Sequence, residues 1–107
     1  MTLTTPEDRR KQRRILLPEG RTLPCHGIEP SFDGVVSVIG MGGMFIRMRS
    51  AKTPGAVLRV RVEDSDLTFQ VECTVRDAVE SGVGVEFTKM AAEDEGKLKD
   101  LLHRLRP

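Results

Sequence analysis

Residues 67–76 read Leu67-Thr68-Phe69-Gln70-Val71-Glu72-Cys73-Thr74-Val75-Arg76. Apolar and polar side chains alternate at every position of this stretch. Because successive side chains of a β-strand point to opposite faces of the sheet, the alternation predicts a strand with one buried face. The preceding pair Ser65-Asp66 is a turn signal, and residues 56–63 alternate in the same way. We therefore predict a β-hairpin that joins 56–63 to 67–77.

Outside this hairpin, the same period of two recurs in shorter segments. The apolar positions with this spacing are Val36 and Val38, then Met44, Ile46 and Met48, then Leu58, Val60 and Val62, and finally Val83, Val85 and Phe87. We expect each set to share the inward-facing side of a strand. With a further strand near 22–28, the chain has about six strands at the short spacing that is typical of an antiparallel barrel or sandwich.

The C-terminal segment has a different period. Its apolar residues follow the spacing i, i+3, i+4 and i+7: Leu98, Leu101, Leu102 and Leu105. Acidic residues at 93–95 precede this stripe and basic residues follow it, as the helix dipole favours. We predict a C-terminal helix that covers the barrel. A length of 107 residues provides one hydrophobic core, so a single domain is expected.

Cysteine usage and hydropathy bear on the cellular compartment. Cys25 and Cys73 stand alone, without CxxC spacing, and are predicted to be reduced thiols in or near the core. No apolar stretch reaches the roughly 18 residues of a membrane span, and the N-terminus has no apolar segment between its charges and a small-residue cleavage site. The sequence therefore predicts a cytoplasmic protein without membrane insertion.

The residue pattern does not support an enzyme or a metal site. His26 and His103 belong to no set with metal-ligand spacing, and the serines stand in turn or strand contexts without a nucleophile elbow or a base. The consecutive carboxylates at 93–95 would point in different directions on a helix, so they are interpreted as partners of its dipole. We predict no catalytic residue, no metal and no cofactor.

A basic cluster lies just ahead of the predicted barrel. Five of the six residues from Arg9 to Arg14 are basic, whereas the other 101 residues carry 12 basic and 16 acidic side chains. The net charge of +1 therefore conceals a strong local field. Arg10 and Arg14 are four residues apart, and so are Arg9 and Arg13, which places each pair on one side of a helical or an extended backbone. Paired guanidinium groups can bind phosphate oxygens or the O6/N7 edge of guanine. The alternative is a solvated basic tail.

The segment Gly40-Met41-Gly42-Gly43 has three glycines in four positions between two predicted strands. Glycine allows a ligand to approach the backbone closely. A tight hairpin also uses glycine where φ is positive, so a purely structural role is the alternative. The segment is not a phosphate-binding loop, because no Gly-Lys-Ser or Gly-Lys-Thr follows and the next element is a strand rather than a helix.

The basic cluster and two later segments together resemble the PilZ family. Members of this family are small six-stranded β-barrels with a C-terminal helix, and they include the best-known bacterial receptors for cyclic di-GMP. Arg10 and Arg14 look like the family's RxxxR motif, because Arg14 runs directly into the apolar Ile15. Arg9 and Arg13 are the alternative register.

The later segments extend the resemblance through the chain. Gly42-Gly43-Met44-Phe45-Ile46 looks like the end of the family's second motif, and residues 82–87 and 98–102 look like its last strand and closing helix. The resemblance covers residues 9–105 and implies a six-stranded antiparallel PilZ-like β-barrel with one C-terminal α-helix. We therefore divide the chain into a flexible N-terminal tail, residues 1–8, and a single domain, residues 9–107.

The second motif of the family, [D/N]xSxxG, is altered in this chain. Aligned on Gly43, its first polar position is Val38 and its hydroxyl position is Gly40. If Ser37 is matched to the hydroxyl position instead, Val35 takes the first position. Neither register supplies an Asp or Asn to accept hydrogen bonds from a guanine edge. Two missing polar contacts, at about 1–1.5 kcal/mol each, would weaken binding roughly 30- to 150-fold unless other groups compensate.

The resemblance implies two functions. In the first, the protein is a bacterial cyclic di-GMP receptor that changes conformation or partner binding on ligand capture, with Ser37, Asp33 or a backbone carbonyl as a compensating group. Its ligand-binding residues would be Arg9, Arg10, Arg13, Arg14, Val38, Gly40, Gly42 and Gly43. In the second, it is a PilZ-like adaptor that has lost nucleotide binding and acts through a protein partner, with the arginines as an interaction tail.

A third hypothesis is a small RNA-binding barrel. It is less well supported, because only the N-terminal segment is basic and the four phenylalanines mostly look like core residues. We expect no DNA or RNA partner.

Overall fold

The computed structural model describes residues 14–18, 20–29, 31–49 and 52–105. Within these ranges it contains seven β-strands and one α-helix. The strands are β1 (Arg14–Leu16), β2 (Pro24–Glu29), β3 (Ser31–Gly40), β4 (Gly43–Arg47), β5 (Val57–Asp64), β6 (Leu67–Val79) and β7 (Gly82–Lys89). The helix α1 spans Ala92–Leu105.

Six antiparallel strands form a closed barrel. The hydrogen-bonded order is β3-β2-β5-β6-β7-β4, and β4 pairs with β3 to close the ring. Five of these strands are the ones that the period-two pattern predicted, and β2 matches the further strand expected near 22–28, so the predicted barrel is confirmed. The seventh strand, β1, pairs with residues 38–40 at the end of β3, beyond the part of β3 that pairs with β2. A three-residue strand is too short to show an alternation, which is why the sequence did not predict it.

The predicted hairpin is formed by β5 and β6. The two strands pair from Val57 opposite Thr74 to Asp64 opposite Leu67. Ser65, in the turn between them, adopts a positive φ of 50°. The apolar residues of the β6 alternation are all buried: Leu67, Phe69, Val71, Cys73 and Val75. The inward faces of the other strands complete one continuous core.

One predicted strand face is wrong. Val36 and Val38 were expected to share the inward side, but the β3–β4 register shifts between these two residues. Val36 is buried, Val38 is only half-buried, and Ile39 takes the next core position. A β-bulge adds one residue to a strand and so reverses the sides of the residues that follow it. Val38 therefore faces the outside of the barrel.

The helix α1 packs on the barrel as predicted, because its four stripe residues are all buried. Its first turn also covers an open strand edge. β6 pairs with β7 only from Glu72 onward, and the backbone N–H of Gln70 instead donates to Oδ1 of Asp94 at 3.1 Å. The helix dipole was the only role that the sequence assigned to this acidic turn. The structure adds a specific hydrogen bond to a strand that would otherwise expose its N–H.

A charged cluster ties the end of α1 to the β5–β6 hairpin. Asp64 is buried and contacts Nη2 of Arg21 at 2.8 Å. Arg104 lies 3.6 Å from Asp64 and donates to Oδ1 of Asp66 at 2.9 Å. The cluster thereby connects three segments that are distant in sequence: the chain ahead of β2, the hairpin turn and the C-terminal helix.

Both cysteines are unpaired and buried, which confirms the prediction of core thiols. Burial raises the pKa of each thiol to about 12. In the described ranges, no helix is long and apolar enough to cross a membrane.

Candidate functional site

The basic segment and the glycine segment meet where β1 pairs with β3. Arg14 lies opposite Gly40, and Leu16 lies opposite Val38. The pairing is possible because β3 extends beyond β2 and leaves this edge open for the incoming chain. The last arginine of the cluster is thereby placed beside the glycines, although the two segments are far apart in sequence.

Gly43 is the point of closest approach in this site. A Cβ atom on Gly43 would collide with the backbone carbonyl oxygen of Val85 on β7, so a side chain is excluded here. Nη2 of Arg14 lies only 3.3 Å from the position that this Cβ atom would occupy. The guanidinium group therefore lies directly over the glycine, which is itself buried beneath it and beside β7.

The glycines of this turn do not serve to allow positive φ angles. Among the described residues, positive φ is found at Gly20, Gly55 and Ser65, and none of the glycines at 40, 42 and 43 has it. The alternative that these glycines are needed for a positive φ is therefore wrong. The carbonyl oxygen of Gly42 accepts a hydrogen bond from the N–H of Phe87 at 2.9 Å, so the turn is held against β7. Close approach of strands, rather than backbone strain, accounts for Gly43.

An apolar row crosses the barrel surface beside Arg14. Leu16, Val38, Phe45 and Gly84 are successive partners across β1, β3, β4 and β7. Leu16 is 73% exposed, and Val38 and Phe45 are half-buried. Because Phe45 lies between two buried residues on its strand, its ring belongs to the outer surface, and it is the exception to the expectation that the phenylalanines mostly lie in the core. This surface offers apolar contact, and the carboxylate of Asp77, the partner of Gly84 on β6, borders it with Oδ2 3.8 Å from the position that a Cβ atom of Gly84 would occupy.

A charged row runs next to the apolar one. Glu86 on β7 lies opposite Gly43, and its Cα is 3.4 Å from the same notional Cβ position that Arg14 approaches. Nε of Arg76 donates to Oε1 of Glu86 at 2.6 Å. Arg14, Glu86 and Arg76 thus bring charges of both signs to the edge of the barrel at Gly43.

The family model of the PilZ domain matches residues 8–104. The chain belongs to the PilZ domain family. PilZ domains form a family of non-catalytic cyclic di-GMP receptors. No curated protein matches the sequence significantly.

Solved PilZ structures share this fold. The PilZ domain of YcgR from Escherichia coli, solved with cyclic di-GMP, is 15% identical, with a TM-score of 0.74 and 91% of each chain covered. The transcription regulatory factor MrkH is 14% identical with a TM-score of 0.75, over 88% of this chain and 49% of that one. The motility inhibitor MotI from Bacillus subtilis is 20% identical with a TM-score of 0.66, over 87% and 51%. The chain thus spans about half the length of MrkH and MotI.

The sequence-predicted site residues of this PilZ domain divide into two groups. The structure brings together Arg14, Val38, Gly40, Gly42 and Gly43 on one side of the barrel. The predicted tail, residues 1–8, and the other three arginines, Arg9, Arg10 and Arg13, lie outside the described residues.

Asp33, one of the groups considered as compensation for the altered motif, lies elsewhere. It contacts Nδ1 of His26 at 2.7 Å, and it precedes Gly40 by seven strand residues, a separation of about 23 Å at the usual rise of about 3.3 Å per residue. Asp33 is therefore too far from Gly40 to reach the same base. Ser37 lies in the bulge region and accepts from the N–H of Leu17 through its backbone oxygen at 3.0 Å.

Sequence reasoning missed Glu86 and Arg76. The only available signal was that Glu86 occupies an outward position in the alternating segment 82–87. Nothing local relates it to Gly43, because the two residues become neighbours only through the β4–β7 pairing.

Proposed function

We propose that this PilZ domain is a cyclic di-GMP receptor and that ligand capture alters its conformation or its binding to a protein partner. One observation carries the proposal: the β1–β3 pairing sets the guanidinium of the exposed Arg14 over Gly43, at the glycine-rich end of β3 and β4. A ligand with phosphates can meet the exposed guanidinium of Arg14 at this edge of the barrel.

In this proposal the arginines supply most of the polar recognition. Arg14 binds a phosphate bidentately or reads the O6/N7 edge of a guanine. Arg10, four residues earlier, is the expected second member of the pair, and Arg9 with Arg13 is the alternative register. Gly40, Gly42 and Gly43 keep the surface low enough for the ligand to lie on the barrel.

The base contacts differ from those that the family motif implies. Val38 replaces the carboxylate or amide position, so the base rests against the apolar surface of Val38 and Phe45 rather than on a polar side chain. Burial of apolar area there offsets part of the lost hydrogen bonding. We therefore expect a dissociation constant in the micromolar range or higher.

Calorimetric titration of cyclic di-GMP into the purified protein tests the proposal, with a titration of GTP as the control ligand. The variant is Arg10→Ala with Arg14→Ala. The matched control is Arg47→Ala with Arg49→Ala, which removes the same charge from exposed positions toward the other end of β4. Saturable binding near −8 kcal/mol, lost in the first variant and kept in the second, supports the receptor.

The proposed conformational response has its own measurement. A ligand that contacts both Arg14 and the glycine surface would strengthen the short β1–β3 pairing. Amide hydrogen exchange at residues 14–17 should then slow when cyclic di-GMP is added. Unchanged exchange in a protein that binds the ligand would reject a switch at β1 while leaving the receptor function intact.

A second candidate function is an adaptor that acts through a protein partner without nucleotide. The observation that favours it is the apolar row, in which Leu16 is largely exposed and Val38 takes the place of a polar residue. The same titration separates the two candidates. Absence of heat at high concentrations of cyclic di-GMP would reject the receptor and favour the adaptor.

A further inference from the structure

Recognition of guanine requires an acceptor that the altered motif does not supply. The Watson–Crick edge of guanine presents two donors, N1–H and the 2-amino group, and a carboxylate accepts from both. Adenine presents neither arrangement. Without an acceptor, only arginine contacts to O6 and N7 would distinguish guanine from adenine, and an acceptor at the Watson–Crick edge adds selectivity for guanine.

Glu86 is the carboxylate that the fold brings beside Gly43 and Arg14, whereas Asp77 borders the same surface at Gly84. Its neighbour Val85 is buried, so the side chain of Glu86 points to the outside of the barrel. Its Cα lies 3.4 Å, and Nη2 of Arg14 lies 3.3 Å, from the notional Cβ position of Gly43. The Arg14 guanidinium and the backbone of Glu86 thus both lie beside Gly43.

Arg76 orients the carboxylate of Glu86 and leaves part of its hydrogen-bonding capacity free. Arg76 donates from Nε to Oε1 at 2.6 Å, which engages one oxygen of the carboxylate. A carboxylate offers about four lone-pair sites on its two oxygens, so acceptor capacity remains for a base. The side chain of Glu86 is 44% exposed, and a ligand can therefore reach it.

The flanking charges also make an acidic residue compatible with an anionic ligand. Arg14 on one side and Arg76 on the other offset the negative charge of Glu86 where the phosphates would lie. A cyclic dinucleotide carries two bases, so the acceptor need not stand at the position of Val38 to meet one of them.

We propose that Glu86 is the specificity-determining residue of this site, accepting hydrogen bonds from N1–H and the 2-amino group of guanine while Arg76 positions its carboxylate. The inference rests on the proposed receptor function. It assigns base selectivity to β7 instead of to the β3–β4 motif.

A ligand series that removes these donors one at a time tests the assignment. Cyclic di-GMP has both donors, cyclic di-IMP keeps N1–H but lacks the 2-amino group, and cyclic di-AMP lacks both. The wild-type protein should bind them in that order, with at least about a tenfold preference for cyclic di-GMP over cyclic di-AMP. Glu86→Ala should reduce this preference about tenfold or more, and Glu86→Gln, which retains one acceptor oxygen, should give an intermediate preference.

Glu80→Ala is the matched control. Glu80 lies in the β6–β7 turn, two residues before Gly82, which pairs with Arg47 at the far end of β4 from Gly43. This variant removes the same charge and should retain the wild-type ligand order. The far-UV circular dichroism and urea midpoint of each variant establish that it is folded.

The outcomes separate this inference from the function on which it rests. An unchanged preference for guanine in Glu86→Ala would overturn the assignment. Equal binding of cyclic di-GMP and cyclic di-AMP by the wild type would also overturn it. In both cases the receptor function would stand. Failure of the wild type to bind any of the three ligands would reject the receptor function and the assignment together.

Discussion

Glycine is required at position 43 because two strands approach each other closely there, and not because of the backbone angles of this residue. The Gly43→Ala variant would place a methyl group against the carbonyl oxygen of Val85, and a strand backbone cannot yield as a flexible side chain can. We expect a loss of about 1–3 kcal/mol in the free energy of unfolding, the usual cost of overpacking. Urea denaturation followed by far-UV circular dichroism measures this, and a variant as stable as the wild type would contradict the geometry at β7.

At Gly96, in contrast to Gly43, there is room for a side chain. It lies inside α1, and a Cβ atom there would meet nothing within 4 Å. Glycine in a helix interior costs about 0.5–1 kcal/mol relative to alanine, because it loses more backbone entropy on folding. Gly96→Ala should therefore raise the free energy of unfolding by about that amount in the same urea experiment. A decrease would show that α1 needs flexibility at this position.

At the scale of elements, the contact between α1 and the β5–β6 hairpin should depend on pH. The hydrogen bond from Arg104 lowers the pKa of Asp66 below its usual value near 3.8. A carboxyl with a lowered folded-state pKa stabilises the fold above its unfolded pKa, and this contribution is lost as the pH falls through the folded-state value. Arg104→Ala should therefore destabilise the protein at pH 7, and this destabilisation should shrink as the pH falls below about 3.8.

Asp66→Asn provides the control for that prediction. In the Asp66→Asn background this side chain no longer titrates, so the effect of Arg104→Ala on the urea midpoint should vary much less between about pH 5 and about pH 3. A pH dependence of equal size in both backgrounds would assign the effect to another pair, of which Asp64 with Arg104 is the nearest.

The elements themselves were largely predictable. The β5–β6 hairpin and α1 follow from the spacing of their own apolar residues, because a regular strand or helix buries one side at a fixed period. The side on which Val38 lies was not predictable, since the bulge that reverses it is a property of the β3–β4 pairing. β1 was not predictable for the same reason, because it forms a strand only by pairing with the free edge at the end of β3.

At the scale of the whole molecule, the two cysteines report on the integrity of the barrel. Desolvation by burial raises the pKa of Cys25 and of Cys73 to about 12, so both remain protonated and shielded in the folded protein. We expect negligible reaction with Ellman's reagent at about pH 8 without denaturant, and reaction of both thiols in urea. Rapid labelling of the folded protein would contradict a closed core.

The same pKa values determine the alkaline limit of stability. An unfolded thiol releases its proton near pH 9, whereas the folded thiols hold theirs to about pH 12. Because the unfolded state binds fewer protons in this interval, the free energy of unfolding should fall as the pH rises from about 9 toward about 12. Urea midpoints measured across this range should decrease steadily.

Local spacing in the sequence was sufficient to predict the number of barrel strands, the inward faces of β5 and β6, the closing helix and the two segments of the candidate site. Each of these features depends on residues within about ten positions of one another. Only the tertiary structure places Arg14, Gly43 and Glu86 around one patch of surface, and only it puts Val38 on the outside. The physical reason is that strand pairing and register are settled by contacts between residues far apart in the chain, and a one-residue shift in register moves a side chain from the core to the surface.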